Sequence, residues 1–203
     1  KIISQTQSKL RRLEKTLGTV RLEWNCDPNL WIERLIQWKC QQIDHKLFDD
    51  IFIHRHVRRL IESVGAMKSD GCQRVLTLLW VGDNVAAMHL GLAHGNCLST
   101  WFPTHPPEFA RFSPGQILMY LLLSKCEQHG VTRVELGRGM NQLKSRFMTD
   151  SHFVSIGAVD ASRTRRFARQ GKQMLRTFVL ESPFGNQCTG LYRHYKRWAR
   201  RWA

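Results

Sequence analysis

One α/β domain, a mixed and mostly antiparallel sheet flanked by helices, followed by a basic helical extension, is the fold class the sequence predicts. Three observations carry it. Helical periodicity dominates the first 67 residues. The texture then switches to short β-rich runs separated by tight turns, and a helix between two strands follows. The third is charge: Lys and Arg number 31 against 16 Asp and Glu, a net +15, yet residues 22–160 are neutral, residues 1–21 carry +5 and residues 161–203 carry +10. The division expected is 1–160 as the folded domain and 161–203 as the extension.

Residues 3–17 read as a basic amphipathic helix stopped by Gly18, and Val20 to Trp24 as a short strand. Asp27 before Pro28 is a helix start, since Pro costs nothing where the first N–H is unsatisfied anyway. Leu30, Trp31, Leu35, Ile36 and Trp38 give that helix its apolar face, and Ile53, Val57, Leu60, Ile61 and Val64 mark a second over 49–67. Arg74–Val81, Val85–Ala93 and Cys97–Phe102 form an antiparallel meander, turned at Gly82-Asp83-Asn84 and Gly95-Asn96. After a Pro-rich loop over 103–107, a helix spans 114–129 and a strand Val131–Leu136. Strand–helix–strand makes those two strands parallel neighbours joined by a right-handed crossover. A helix over 141–147, a strand over 152–158 and basic helices over 160–180 and 191–202 complete the chain.

Several function classes drop out. The longest apolar run, Ile117 to Leu123, falls far short of the ~20 residues of a membrane span. Hydrophobic residues make up 42% and charged residues 23%, the balance of a globular chain. The six cysteines form no Cys-x-x-Cys pair and no zinc spacing, which predicts free thiols, no metal and a cytoplasmic setting. His54 and His56 read as helix surface. No signal peptide is visible, and a first residue other than Met points to a fragment or a trimmed chain. Gly139 to Ser145 imitates a phosphate-binding loop, but Leu143 stands where glycine is required before the lysine. The basic ends suit a polyanion: a phosphorylated cofactor, tRNA, an acidic carrier protein or an anionic membrane surface.

Two junctions have chemical content. In Phe109-Ala-Arg-Phe-Ser-Pro-Gly-Gln-Ile-Leu118 a helix begins at Pro114-Gly115. Helix-start N–H groups lack internal partners and attract phosphate; Gly115 permits close approach, Arg111 adds a charged hydrogen bond, and Ser113 caps the helix or touches the anion. An ordinary capped helix shows the same pattern. Gly137-Arg138-Gly139 lies at the carboxyl end of a strand, where ligands gather in open sheets, with Lys144 and Arg146 just beyond.

The order of elements, with Pro107-Glu-Phe-Ala-Arg-Phe-Ser-Pro-Gly-Gln-Ile-Leu118, His129-Gly130, Val134-Glu-Leu-Gly-Arg-Gly139 and Leu143-Lys-Ser-Arg-Phe147, resembles the GNAT N-acetyltransferases. Within them it resembles the CelD/BcsL-like (cellulose-biosynthesis-type) branch related to Fem-type aminoacyltransferases; Lys9-Leu-Arg-Arg-Leu-Glu-Lys15 fits that branch too. The resemblance spans about residues 1–155. It implies an acyl-CoA site, with the pyrophosphate held by Arg111, Ser113, Gly115 and Gln116, Lys144 beside it, and Cys97–Phe102 facing pantetheine. It implies acyl transfer from acetyl-CoA or another acyl-CoA to an amine or hydroxyl on a small molecule, sugar or peptide. Fem-like transfer from aminoacyl-tRNA or a carrier protein, and a non-catalytic module, are the alternatives. Met140 replaces the branch's usual acid after Gly-x-Gly, and Leu143 its usual tyrosine. For the base, Glu135 is the first candidate and His89 the second.

Overall fold

A computed structural model describes residues 2–43, 55–66, 68–69, 71–155, 162–164, 166–167, 170–171 and 174. The chain divides into two compact units, Lys1–His152 and Phe153–Ala203. In the first, α1 (Ile2–Leu17) leads into β1 (Val20–Glu23). Asp27 does cap the next segment: Asn29 N donates to its Oδ1 at 3.0 Å. The segment opens as one 3-10 turn, Pro28–Leu30, before α2 (Ile32–Ile43). Then come α3 (Arg55–Ala66) and a two-residue strand the periodicity did not reveal, β2 (Lys68–Ser69). The meander is β3 (Cys72–Val81), β4 (Asn84–His94) and β5 (Cys97–Thr104). Finally α4 (Pro114–Lys125), β6 (Arg133–Glu135) and α5 (Lys144–Phe147) close the unit.

The sheet runs β1-β3-β4-β5-β6, with β2 on the side of β3. All pairings are antiparallel except β5 with β6, which is parallel, as strand–helix–strand requires. Both faces are covered. Leu13 of α1 and Ile117, Leu118 and Leu122 of α4 pack with Val75, Leu79 and Leu98 on one side. Leu35 and Ile36 of α2 and Ile61 of α3 pack with Leu76, Leu78, Met88 and Leu90 on the other. A sheet buried on both faces explains the near-continuous apolar runs of β3 and β4.

Several boundaries differ from the sequence expectation. β5 continues through Pro103 to Thr104, so the Pro-rich loop is shorter. Pro107–Phe112, ahead of the Pro114 helix start, forms a 3-10 helix. α4 stops at Lys125; a separate 3-10 turn, Glu127–His129, ends at Gly130, whose φ of +72° suits only glycine at low cost. Residues 152–155 are not a strand, and 156–158 lie outside the described residues, as do 49–54 of the second helix and the whole of 191–202. Of the helix expected over 160–180, the described positions Arg163, Thr164, Arg166, Phe167, Gln170, Gly171 and Met174 are helical.

Candidate active site

The sheet opens where its one parallel pair ends. β5 and β6 pair only through Cys97–Arg133, Leu98–Val134 and Ser99–Glu135. Thr100 Oγ1 then donates to the Glu135 carbonyl at 2.9 Å, the last tie between the strands. On the other side of β5 the register slips: Gly91 faces Thr100 but Leu90 faces Phe102, so Trp101 is an extra residue. Such a bulge turns a strand and adds twist. Meanwhile the chain leaves β6 at Gly137, φ +74°. Between the diverging strands lies a cleft of about 350 Å³. Thr100, Trp101 and Pro103 form one wall, Leu136 to Arg138 with Leu143, Lys144 and Phe147 the other, and Met119 of α4 closes in from the helix.

Gly91 sits at the bulge with no room for a side chain. A Cβ there would stand 2.7 Å from the Ser99 carbonyl oxygen and 2.8 Å from His89 Cε1. Gly91→Ala should therefore cost roughly 1–3 kcal/mol as an overpacked site, read as a lower urea midpoint; an unchanged midpoint would show that β5 tolerates the methyl.

Lys144 is drawn into the cleft wall. Its Nζ donates to the Gly137 carbonyl at 3.1 Å and the Arg138 carbonyl at 2.8 Å. Its backbone N–H bonds Asn141 Oδ1 at 2.9 Å, which stops the turn from fraying. Burial lowers its pKa, because a low-dielectric wall disfavours the charged form.

The start of α4 differs in detail from its sequence reading. Ser113 is the N-cap residue, but its φ of +56° is left-handed and its hydroxyl makes no capping bond. Instead Lys9 of α1 donates to Ser113 Oγ at 3.1 Å and to Gln116 Oε1 at 2.8 Å. Gln116 Nε2 in turn donates to Thr6 Oγ1 at 2.6 Å. The Gln116 side chain is buried and committed to α1, and its backbone N–H donates to the Ser113 carbonyl at 3.0 Å in the first turn of α4. Pro114 has no N–H, and Gly115 has nothing nearer its absent Cβ than a His105 carbon at 4.0 Å, so the helix start is open to close approach. Arg111 is exposed with its guanidinium 4.8 Å from the Phe112 ring, and Arg12 of α1 lies 6.0 Å from the same ring. Three cations, Lys9, Arg12 and Arg111, thus gather at this end of the helix. The sequence reading found Arg111 alone. The other two lie about a hundred residues away, and their only signal was Lys9 and Arg12 on one helical face.

Glu135 sits at the point of divergence. Its Oε1 pairs with Arg133 Nη2 at 2.7 Å, and Ser99 Oγ donates to Oε2 at 3.3 Å. His89 is elsewhere: wholly buried on β4, 3.3 Å from Thr77 Oγ1 through Nδ1, with Nε2 unpartnered and no part in the cleft lining. Burial, with Lys39 adding repulsion, pushes its pKa down to about 4. It is therefore a neutral, weakly basic group that an acceptor cannot touch. The buried thiols are inert by the same physics: desolvation raises Cys26 to about 12 and Cys126 to about 11. Among the described residues no three His, Cys, Asp or Glu side chains converge as a metal site.

This arrangement has counterparts. The chain is similar to a possible acetyltransferase from Clostridium difficile 630, at 9% identity over 70% of this chain and 99% of that one, with a TM-score of 0.52. It also aligns with ribosomal-protein-alanine N-acetyltransferase from Brucella melitensis biovar Abortus 2308 (8% identity, 70% and 100% covered, TM-score 0.47). A third counterpart is glucosamine-6-phosphate N-acetyltransferase from Arabidopsis thaliana (13%, 70% and 100%, TM-score 0.43). No curated protein matches the chain. Identities this low speak for the fold alone, which the first of them shares. The family model for the acetyltransferase (GNAT) domain matches residues 1–145, which span β1 to β6, Lys144 and every cleft-lining residue but Phe147. With the strand divergence, the open helix start and that match, the chain belongs to the GNAT acetyltransferase domain family and is an acyltransferase of that type.

Proposed function

We propose that the chain transfers an acetyl group from acetyl-CoA to an amine or hydroxyl, with the pantetheine arm in the β5/β6 cleft and the pyrophosphate at the start of α4. One observation carries the reading: β5 loses its parallel partner after Ser99, leaving strand backbone along a 350 Å³ cleft. An extended amide-bearing chain adds to such an edge as a strand would. The residues present fit it: apolar Pro103, Met119 and Phe147 suit an alkyl arm, and Gly115 with Lys9, Arg12 and Arg111 suits a diphosphate. Bound there, acetyl-CoA supplies an activated thioester. The chain's own residues do the rest. The strand edge and helix start hold the donor in line. N–H groups of the bulged segment favour negative charge on the carbonyl oxygen, and the cleft walls exclude water. Glu135, fixed by Arg133 and Ser99, takes the acceptor's proton directly or through one water. The likeness to the CelD/BcsL-like branch supports a sugar, small-molecule or peptide acceptor. The +10 of residues 161–203 supports contact with a polyanion.

Titration of the full chain with acetyl-CoA tests the donor; an absence of binding at millimolar ligand removes it. Glu135→Gln should lower turnover about 100-fold or more, in the range of a lost general base, and leave CoA affinity nearly unchanged. A pH–rate profile identical to the parent's would take Glu135 out of the proton path.

A further inference from the structure

Resting on that reading of the cleft, we infer that Lys144 is the acid that protonates the departing CoA thiolate. GNAT catalysis must end with a proton on sulfur. The residue that the resemblance makes a tyrosine is Leu143, a cleft-wall side chain with no proton to give. Its neighbour Lys144 stands in the same wall. Two of its three ammonium protons are directed to the carbonyls of Gly137 and Arg138, which leaves the third for the cleft.

The surroundings keep the assignment simple. β5 brings Thr100, Trp101 and Pro103 to the cleft, and α4 brings Met119; none carries charge. From the turn, Arg138 is the other ionisable group in the lining, and a guanidinium does not release its proton. Glu135 ends β6 at the point of divergence, where its carboxylate is paired with Arg133 and bonded by Ser99 Oγ; in the reading above it takes the acceptor's proton and has none to give to sulfur. Thr100 Oγ1 spends its proton on the Glu135 carbonyl. Lys144 is thus the one proton donor of suitable acidity among the described cleft residues, and its burial moves its pKa down toward a thiol's.

The step balances. The acceptor nitrogen's lone pair forms the new bond to the carbonyl carbon, the carbon–sulfur bond breaks, and its electron pair stays on sulfur. The Nζ proton moves to sulfur. The acceptor nitrogen gives its extra proton to Glu135 or water, and Lys144 regains one from solvent once product leaves.

The titration arm of the test needs no acceptor, and only the turnover of Lys144→Arg requires one. CoA bound to the full chain is titrated with base, and the ultraviolet absorbance of the thiolate is followed. An ammonium beside the sulfur should make the bound thiol titrate about one pH unit or more below free CoA. Lys144→Met should bring it back to the free value or above. Lys144→Arg, which keeps the charge without a transferable proton, should keep the low titration yet lose most turnover at saturating acetyl-CoA. A bound thiol that titrates alike in the parent and in Lys144→Met overturns the inference. If Lys144→Met loses CoA, the parent and Lys144→Arg decide, and a titration at the free value in either overturns it. A parent that binds no CoA overturns the reading of the cleft itself, a distinct failure.

Discussion

Replacing Arg111 and Lys9 together by alanine is expected to weaken CoA binding by about a hundredfold or more. Each charged hydrogen bond to a phosphate contributes roughly 1.5–3 kcal/mol, and the two cations reach the helix start from different elements. Arg111 comes from the 3-10 turn before α4, and Lys9 from α1. In the proposed site both would face the same anion, so their effects should not simply add. Lys9 also has a structural duty, because Ser113 Oγ and Gln116 Oε1 both accept from it. The single Arg111→Ala change separates the two: it removes an exposed guanidinium and should leave the urea midpoint unchanged while affinity falls. Calorimetry on both variants reads the result. Full affinity in a folded Arg111→Ala, Lys9→Ala protein would move the pyrophosphate away from α4.

His89 should make the fold acid-sensitive in a window set by its own titration. In the unfolded chain its ordinary pKa is 6.5; in the folded chain it is about 4. Above pH 6.5 neither state binds the proton and stability is whole. As pH falls below 6.5 the unfolded chain takes a proton the folded chain refuses, so stability is lost until about pH 4, where the folded imidazole protonates too. A displacement of that size corresponds to about 3 kcal/mol. Urea unfolding of the parent and of His89→Gln, each from pH 7 to pH 4, isolates it from the carboxylates and the exposed histidines. The parent should lose about 3 kcal/mol more than the variant over that range. Parallel curves would mean that His89 is solvated in the native protein.

Much of the fold was legible because it is local. The Asp27-Pro28 start, the turns at Gly82 and Gly95 and the Pro114 helix start each rest on backbone chemistry within a few residues. The meander followed from alternation between those turns. Lengths were less legible. Pro103 reads as a loop residue, yet it lies in β5 because pairing with β4 outweighs its local preference. The end of α4 was misplaced for a related reason: one 3-10 turn after Lys125 has the same composition as another helical turn.

The site divides in the same way. Gly137-Arg138-Gly139 and Lys144 were visible in the sequence because a glycine bend after a strand and a lysine on the next helix lie seven residues apart. The opposite wall was not. Thr100 and Trp101 face the cleft beside a register shift at Leu90/Gly91 of the neighbouring strand, where a Cβ on Gly91 would meet the His89 ring and the Ser99 carbonyl. His89 read as a candidate base while its exposure was unknown; as the filler of that space it is buried and neutral.

By itself the sequence determined the order of the main elements from α1 to β6 apart from β2, the two-faced sheet, the basic ends and the positions of Arg111, Gly115 and Lys144, since each is encoded in short-range pattern, turn chemistry or charge. Only the tertiary structure decided that Lys9 and Arg12 stand beside Arg111, that the Gln116 side chain turns inward to Thr6, and that β5 and β6 part after Ser99. Those outcomes depend on which surfaces are pressed together across about a hundred residues of chain. Packing α1 onto α4 buries Leu13 with Leu118, and that burial brings the lysine to the helix start.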